Sequence, residues 1–579
     1  MLEKNSINQH CFYQPGIGID IDISQNSFQN SSFQSSFKNS IDSAIAISID
    51  YHVIQAYQYL IKTFKQGDKI YLFGFSRGSF IARILAGMIE KIGLLDNGLD
   101  GMVKTAWEIY KNWEQCGQPD KSNNNNPLYC TYSLQLFKQT FCRYNVSIEF
   151  MGLFDSINSC GIFIDKLFPY TSNTSNVNHI RHAVSIHERR SKFKQNLFRL
   201  HSYLPCFLSN NEITRDCQSE NIDNDNISLI SQIEMPDDDN VTRSHDVSVQ
   251  FSKRCSRDIL EVWFPGDHSD IGGCWPYDDN GNKISKLPLR WILSFALKYG
   301  VQFKSNALDE FNLKFTSLNS ALTFQHDTLS FKGHKYPSYI SPYCMAKNIY
   351  DEENQKHDND NDNDENDINT NLSSNPNETH DRKKKKRINI KSSLFPDFSK
   401  YISKPDLRNE FNKIDTFKGH GDSNFINTLF WWILEVIPIG YRIENKDGKW
   451  RPIYWPNFGE KRNVPKNAKV HWSLLWRIKF IKNVDISHLP EVYKKLENLI
   501  LNDDKEEKMF SDNLLTLSLS SPSDNNQTLI LRVEDLVDLK TGILKTDIHE
   551  LLTSHLNTNT KIKLDIDWDN PPNELINLQ

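Results

Sequence analysis

The stretch from residue 51 to residue 91 constrains this chain more than any other. Val53, Tyr57, Leu60, Ile61 and Phe64 recur at helical spacing and predict one buried helix face. Gly67-Asp68 ends that helix. K-I-Y-L-F at 69–73 is a short apolar run of strand formers. Phe80, Ile81, Ile84, Leu85, Met88 and Ile89 then return to helical spacing, with only Gly74-Phe75-Ser76-Arg77-Gly78 at the turn. Helix, strand, sharp turn and helix form a βα crossover, which implies a parallel sheet. G-x-S-x-G in that context is the pattern of a nucleophile elbow. So sharp a turn strains the serine backbone and lifts its hydroxyl above the sheet edge. Side chains at positions 74 and 78 are expected to collide, hence the glycines. The following helix directs its first N–H groups at any anion that develops there. The competing reading is a tight βα turn in which Ser76 only caps the helix.

Two further apolar runs end in polar residues: I-E-F-M-G-L-F-D at 148–155 and I-L-E-V-W-F-P-G-D-H at 259–268. Buried parallel strands have this form, and open α/β sheets bind ligands beyond the carboxyl ends of their strands. Asp155 and His268 fall there. A serine nucleophile needs a base, and the base needs an orienting acid; on this type of sheet they follow in the order Ser, Asp or Glu, His. Asp155 suits the acid and His268, in a Gly-rich loop, suits the base. The alternatives are a turn or capping role for Asp155 and a structural role for His268. Asp267 and Asp270 compete as acids but lie too close to His268 in sequence to come from a separate strand. One histidine with two acids and no second clustered histidine does not make a metal site. His182 and His187, in R-H-A-V-S-I-H-E-R-R, would stand about 140° apart on a helix and so form no zinc pair. Arg181, Glu188, Arg189 and Arg190 are expected to form an ion-pair network on a helix face, or Arg181 to contact an acidic substrate group.

Composition sets the limits. Of 579 residues, 38% are hydrophobic, yet Phe 34, Tyr 21 and Trp 12 suffice for a core, so the deficit points to polar segments interrupting a globular chain. Residues 209–248, 351–391 and 502–528 lack apolar periodicity and are expected to be disordered; the Lys383–Lys386 run reads as a solvated block beside an acidic one. A net charge of −6 argues against a general nucleic-acid binder. The opening residues lack a secretory apolar core, no clean apolar run reaches spanning length, and the scattered cysteines form no C-x-x-C pair. These features together suggest a cytoplasmic location.

G-F-S-R-G-S-F-I-A-R-I-L-A-G-M-I, F-M-G-L-F-D-S-I, I-R-H-A-V-S-I-H-E-R-R-S-K-F and E-V-W-F-P-G-D-H-S-D-I-G-G occur in that order. In this the chain resembles the α/β-hydrolase family that includes the phospholipase effectors of bacterial type VI secretion systems, the Tle-type lipases, and many fungal proteins. The likeness spans about residues 10–305, apart from the insertion at 209–248. W-W-I-L-E-V-I-P at 431–438, then P-N-F-G-E-K-R and H-W-S, resembles the C-terminal part of the fungal branch. The resemblance implies an α/β fold with a mostly parallel sheet flanked by helices, Ser76 as nucleophile, Asp155 as acid and His268 as base. Family members usually begin with an apolar strand ending in F-D-G-T. This chain opens near F-Y-Q-P-G-I-G-I, like the segment after that strand, so a first strand and one oxyanion donor are expected to be absent; Gly16 and Gly18 are weak candidates for a substitute N–H.

The expected function is a serine hydrolase of carboxylic esters, with lipid as substrate and no cofactor. Gly74, Arg77 and Gly78 shape the elbow and oxyanion site, and Arg181 and Asp270 are candidate supports. The alternative is an impaired hydrolase-fold protein kept for binding. F-I-N-T-L-F-W-W-I-L-E-V-I-P-I at 425–439 reads either as a helix lying in a membrane interface or as one packed on the hydrolase core; Glu435 and Pro438 argue against spanning. The expected organisation is a catalytic domain over 1–345, a linker over 346–392, a helical and irregular region over 393–500 packed on the core, and an extension over 501–579.

Overall fold

The computed structural model describes residues 1–4, 8–15, 34–116, 127–143, 145–157, 176–198, 258–275, 277, 282–323, 325–331, 425–437, 441–444, 450–453, 455–481, 484–512, 528–545 and 561–572. The expected insertion at 209–248, the linker at 346–392, the Lys383–Lys386 block, and Gly16 and Gly18 lie outside these residues.

Five strands form one parallel sheet: β1 (Ile70–Phe75), β2 (Ile148–Phe154), β3 (Val177–Ser185), β4 (Asp258–Phe264) and β5 (Lys469–Val470), side by side in that order. Every pairing is parallel. Phe75 pairs with Phe154, and Phe154 with Ala183, so neighbouring strands finish nearly level. The chain therefore delivers Ser76 and Asp155 to adjacent positions at the carboxyl edge.

On one face lie α1 (Gln34–Thr63), α2 (Arg77–Lys91), α3 (Val103–Cys116) and α4 (Pro127–Phe141). The periodic residues expected to face inward do so: Val53, Tyr57 and Ile61 of α1 and Phe80, Ile84 and Met88 of α2 are buried together with Met151 and Leu153 of β2. Each such side chain contributes roughly 1.5–3 kcal/mol through burial. Phe150, the β2 neighbour of Met151, turns to the other face, as strand geometry requires. There Trp263 and Phe264 of β4 pack with Trp291 and Phe295, and with Trp472 and Trp476 beside β5, so the chain beyond residue 425 shares the core of the sheet. The stretch 502–512, expected to be disordered, continues a helix running from Glu491 to Asp512.

One element differs in kind. R-H-A-V-S at 181–185 belongs to β3, not to a helix. The neighbouring strand β4 supplies the partners that let polar side chains sit in a buried strand. Arg181 donates to Asp258 at 2.8 Å and to the Tyr299 hydroxyl at 2.9 Å, and stacks over Phe295 at 4.1 Å. His182 Nδ1 lies 2.8 Å from Glu261 Oε1, and His182 Nε2 accepts the Ser156 N–H at 3.0 Å. Arg181 is therefore tied into the sheet, level with the middle of β2 opposite Gly152, and does not reach the carboxyl edge as a substrate contact would.

Candidate active site

The elbow forms where β1 meets α2. Ser76 has φ 58° and ψ −124°, a region that L-residues occupy only under strain. Its side chain makes no capping hydrogen bond, which disposes of the helix-cap reading. The bend is locked from both sides: the Ser76 N–H donates to the Phe154 carbonyl at 3.0 Å, and Ser79 Oγ lies 2.7 Å from the Gly74 carbonyl. A Cβ at Gly74 would stand 2.5 Å from the backbone of Gly78 and Ser79, so glycine is required there. At Gly78 a Cβ would meet nothing within 4 Å. The expected collision thus arises at only one of the two glycines, because the close approach is made by the Gly78 backbone and not by its side-chain direction. Arg77 is the first residue of α2, where backbone N–H groups have no helical acceptor.

Asp155 follows β2 directly, fully buried and at φ 41°. Its N–H donates to the Ala183 carbonyl at 2.7 Å. Its Oδ2 lies 2.6 Å from His268 Nδ1, and its Oδ1 accepts the Ser185 N–H at 2.9 Å. His268 is not in an open loop. It begins a short helix, α5 (His268–Gly272), capped by Asp267. Its ring lies between Phe75 and Phe193, each 4.7 Å away, and its N–H donates to Glu188 Oε2 at 3.2 Å. With Nδ1 held by the acid, Nε2 is the nitrogen available for proton transfer. Among the described residues, Ser76 Oγ and His268 Nε2 share no hydrogen bond.

The competing acids are occupied elsewhere. Asp267 and Asp270 bond to each other's backbone N–H in a capping box. Asp267 also accepts from Trp275 Nε1 at 2.9 Å, and Asp270 pairs with His326 Nδ1 at 2.6 Å. Asp270 thus supports the turn that carries His268. Among the described residues no cluster could hold a metal ion.

Sequence reasoning missed the residues that enclose the site. Arg462 forks onto Asp155, Nη1 to Oδ1 at 2.6 Å and Nη2 to Oδ2 at 2.8 Å. Glu188, read only as part of a charge network, accepts from Arg190 at 2.8 Å and from the His268 backbone. Glu435 receives the Ser191 N–H at 2.7 Å and its hydroxyl at 2.9 Å. The Glu188–Arg190 pair belongs to the ion-pair network expected from the sequence; no local spacing signals the contacts of Arg462 with Asp155, of Glu188 with His268 or of Glu435 with Ser191. Burial alone would raise the Asp155 carboxyl; the Arg462 guanidinium and His268 outweigh it and hold Asp155 well below the usual carboxylate range. Burial likewise opposes the Glu188 charge, but Arg190 brings it down to about 2. Burial lowers His268 below the ordinary imidazole value despite Asp155, which favours its charged form.

Sheet, elbow and acid–imidazole pair define the class: an α/β-hydrolase-like protein. Residues 1–294 match the family described as "T6SS, Phospholipase effector Tle1-like, catalytic domain", and the chain belongs to that family. It is 36% identical over 564 residues to "Uncharacterized protein YEL023C" of Saccharomyces cerevisiae, covering 86% of this chain and 77% of that one. A solved structure, "Crystal structure of an uncharacterized protein from Pseudomonas aeruginosa", is 16% identical with a TM-score of 0.22, covering 48% of this chain and 31% of that chain. This chain thus spans about a third of the length of that protein, and so low a score bears on neither fold nor function.

Proposed function

We propose that the protein is a serine hydrolase of carboxylic esters acting on phospholipid. The observation that carries this reading is the 2.6 Å contact between Asp155 and His268, at the sheet edge where the strained Ser76 leaves its strand. Ser76 Oγ attacks the acyl carbonyl carbon while His268 Nε2 takes the hydroxyl proton. The ester C–O bond breaks, and the imidazolium returns the proton to the departing alcohol. Water then adds to the acyl-enzyme with His268 again as base, releasing the carboxylic acid and restoring Ser76. Asp155 keeps the imidazole in the right tautomer and stabilises its charged form. The Arg77 N–H donates to the oxyanion. Hydrogen bonds of such sites often tighten only with substrate bound, so the serine–histidine bond forms in the complex.

The lipid part rests on the family and on one surface. Helix α7 (Phe425–Val436, with α6 being Lys286–Lys298) is divided in two. Thr428, Leu434 and Glu435 are buried, whereas Ile426, Leu429, Phe430, Ile433 and Val436 are exposed, as is Phe458, whose N–H donates to the Glu435 carbonyl at 3.1 Å. The helix thus buries one side and presents an apolar face on the other. Such a face suits the headgroup boundary of a bilayer. Among the described residues no helix is long and apolar enough to cross a membrane. Phe193 touches both His268 and Trp431, at 4.7 and 5.4 Å, which links this surface to the imidazole.

The missing serine–histidine bond favours a second reading, a hydrolase-fold protein kept for binding. A panel of phospholipids and simple esters, run on the full chain beside Ser76→Ala, separates the two. Hydrolysis abolished by the substitution supports the enzyme; folded protein that binds phospholipid but turns over none of the panel supports the binding protein.

A further inference from the structure

Arg462 lies outside the segment matched by the family model and reaches the acid across 307 positions of sequence. It is wholly buried, and all five of its N–H groups have acceptors. Nη1 and Nη2 each bond one oxygen of Asp155. Nη1 also reaches the Ser185 carbonyl at 3.1 Å, Nε reaches the Phe193 carbonyl at 3.0 Å, and Nη2 bonds that same carbonyl. The last residue of β3 and the segment that packs Phe193 on the imidazole are therefore tied to one guanidinium. A planar fork of this kind fixes a carboxylate in both position and plane, which a single donor does not.

We propose that Arg462 is a positioning residue of the hydrolase site, fixing both oxygens of Asp155 and thereby the orientation of His268, while its charge limits how strongly Asp155 stabilises the imidazolium. The inference rests on the reading of Ser76, Asp155 and His268 as a catalytic set. It makes the C-terminal part of the chain a working part of the site. The charged groups around His268 are Asp155 after β2, Glu188 and Arg190 after β3, Asp267 and Asp270 in its own turn, His326 against Asp270, and Arg462 behind Asp155. Of these, Arg462 alone grips both oxygens of Asp155.

The test uses full-length wild type, Arg462→Met and Arg462→Lys. It measures kcat and KM on a soluble p-nitrophenyl ester against pH, and follows the His268 ring by NMR in protein labelled with 15N-histidine. Arg462→Met should lower kcat about 100-fold with KM little changed, the scale of a roughly 1 Å misplacement of a catalytic group. Its acidic limb and its His268 titration should both move to higher pH, because an opposing positive charge is gone. Arg462→Lys keeps the charge and loses the fork, so kcat should fall about 10-fold with the limb in place. A merely structural arginine would lower the unfolding temperature and leave kcat and limb of the folded protein unchanged. Folded Arg462→Met with wild-type kcat and an unmoved limb overturns the proposal. Should Arg462→Met not fold, Arg462→Lys with wild-type kcat overturns it. If wild type hydrolyses nothing, the hydrolase reading fails separately, and the titration decides: a raised His268 value in Arg462→Met supports the coupling, an unchanged one refutes it.

Discussion

Gly74 and Gly78 stand symmetrically about Ser76 in sequence, yet alanine at the two positions should act in opposite directions. At Gly74 the new Cβ would lie 2.5 Å from the Gly78 carbonyl oxygen and the Ser79 nitrogen. Those are backbone atoms at the start of α2, and no side chain can rotate away. Either the elbow opens, breaking the Ser79 contact to the Gly74 carbonyl, or the strand shifts against β2. Overpacking of this kind costs about 1–3 kcal/mol, and the rigid neighbour places Gly74→Ala at the upper end, near ~3 kcal/mol. At Gly78 a Cβ meets no atom within 4 Å, and the residue lies in the first turn of a helix. Gly78→Ala there should gain about 0.5–1 kcal/mol, mostly by restricting the unfolded chain. Urea unfolding followed by tryptophan fluorescence should place the two midpoints on opposite sides of wild type. Ester hydrolysis should be lost in Gly74→Ala and retained in Gly78→Ala. Equal stability of Gly74→Ala and wild type would refute the close-approach account of the elbow.

Ser76→Gly should raise stability by about 1 kcal/mol, by relieving the strained φ and ψ, while removing all hydrolysis; calorimetry with an ester assay checks both. Because burial depresses His268, and catalysis needs it neutral, the acidic limb of kcat/KM should lie below the ordinary imidazole value of about 6.5. Activity should therefore persist as pH falls through that value and be lost only beneath it, and a pH–rate profile on a soluble ester tests this. Ile433→Glu, on the exposed face of α7, should weaken co-sedimentation with anionic phospholipid vesicles at least several-fold while leaving turnover of a soluble ester within about twofold, since surface changes of this kind shift stability by no more than ~0.5 kcal/mol.

The elbow was legible in the sequence because its physics is local. A strand, a glycine, a serine and an amphipathic helix in a row permit few arrangements, and Val53, Tyr57, Ile84 and Met88 landed in the core as their spacing required. The placement of Asp155 and His268 beyond strand ends was readable because buried parallel strands end abruptly in polar residues. R-H-A-V-S was misread because its charges suggest a solvated helix. Only the sheet order, which sets Asp258 and Glu261 of β4 beside it, makes a buried strand of those residues tolerable. Gly78 matched the motif, but which glycine meets backbone depends on directions that a pattern does not encode. Arg462 and Glu435 stood only within segments that resemble the fungal branch, and nothing in those segments points to Asp155, 307 positions from Arg462, or to Ser191, 244 positions from Glu435; only the folded chain brings them together.

The most direct test is to treat the full-length protein with a fluorophosphonate probe and locate the adduct by mass spectrometry. The account predicts a single modified serine at position 76, with labelling lost in Ser76→Ala and strongly slowed in His268→Ala. Folded protein that takes no label, or takes it equally well without His268, would contradict the claim that this serine is activated by that imidazole.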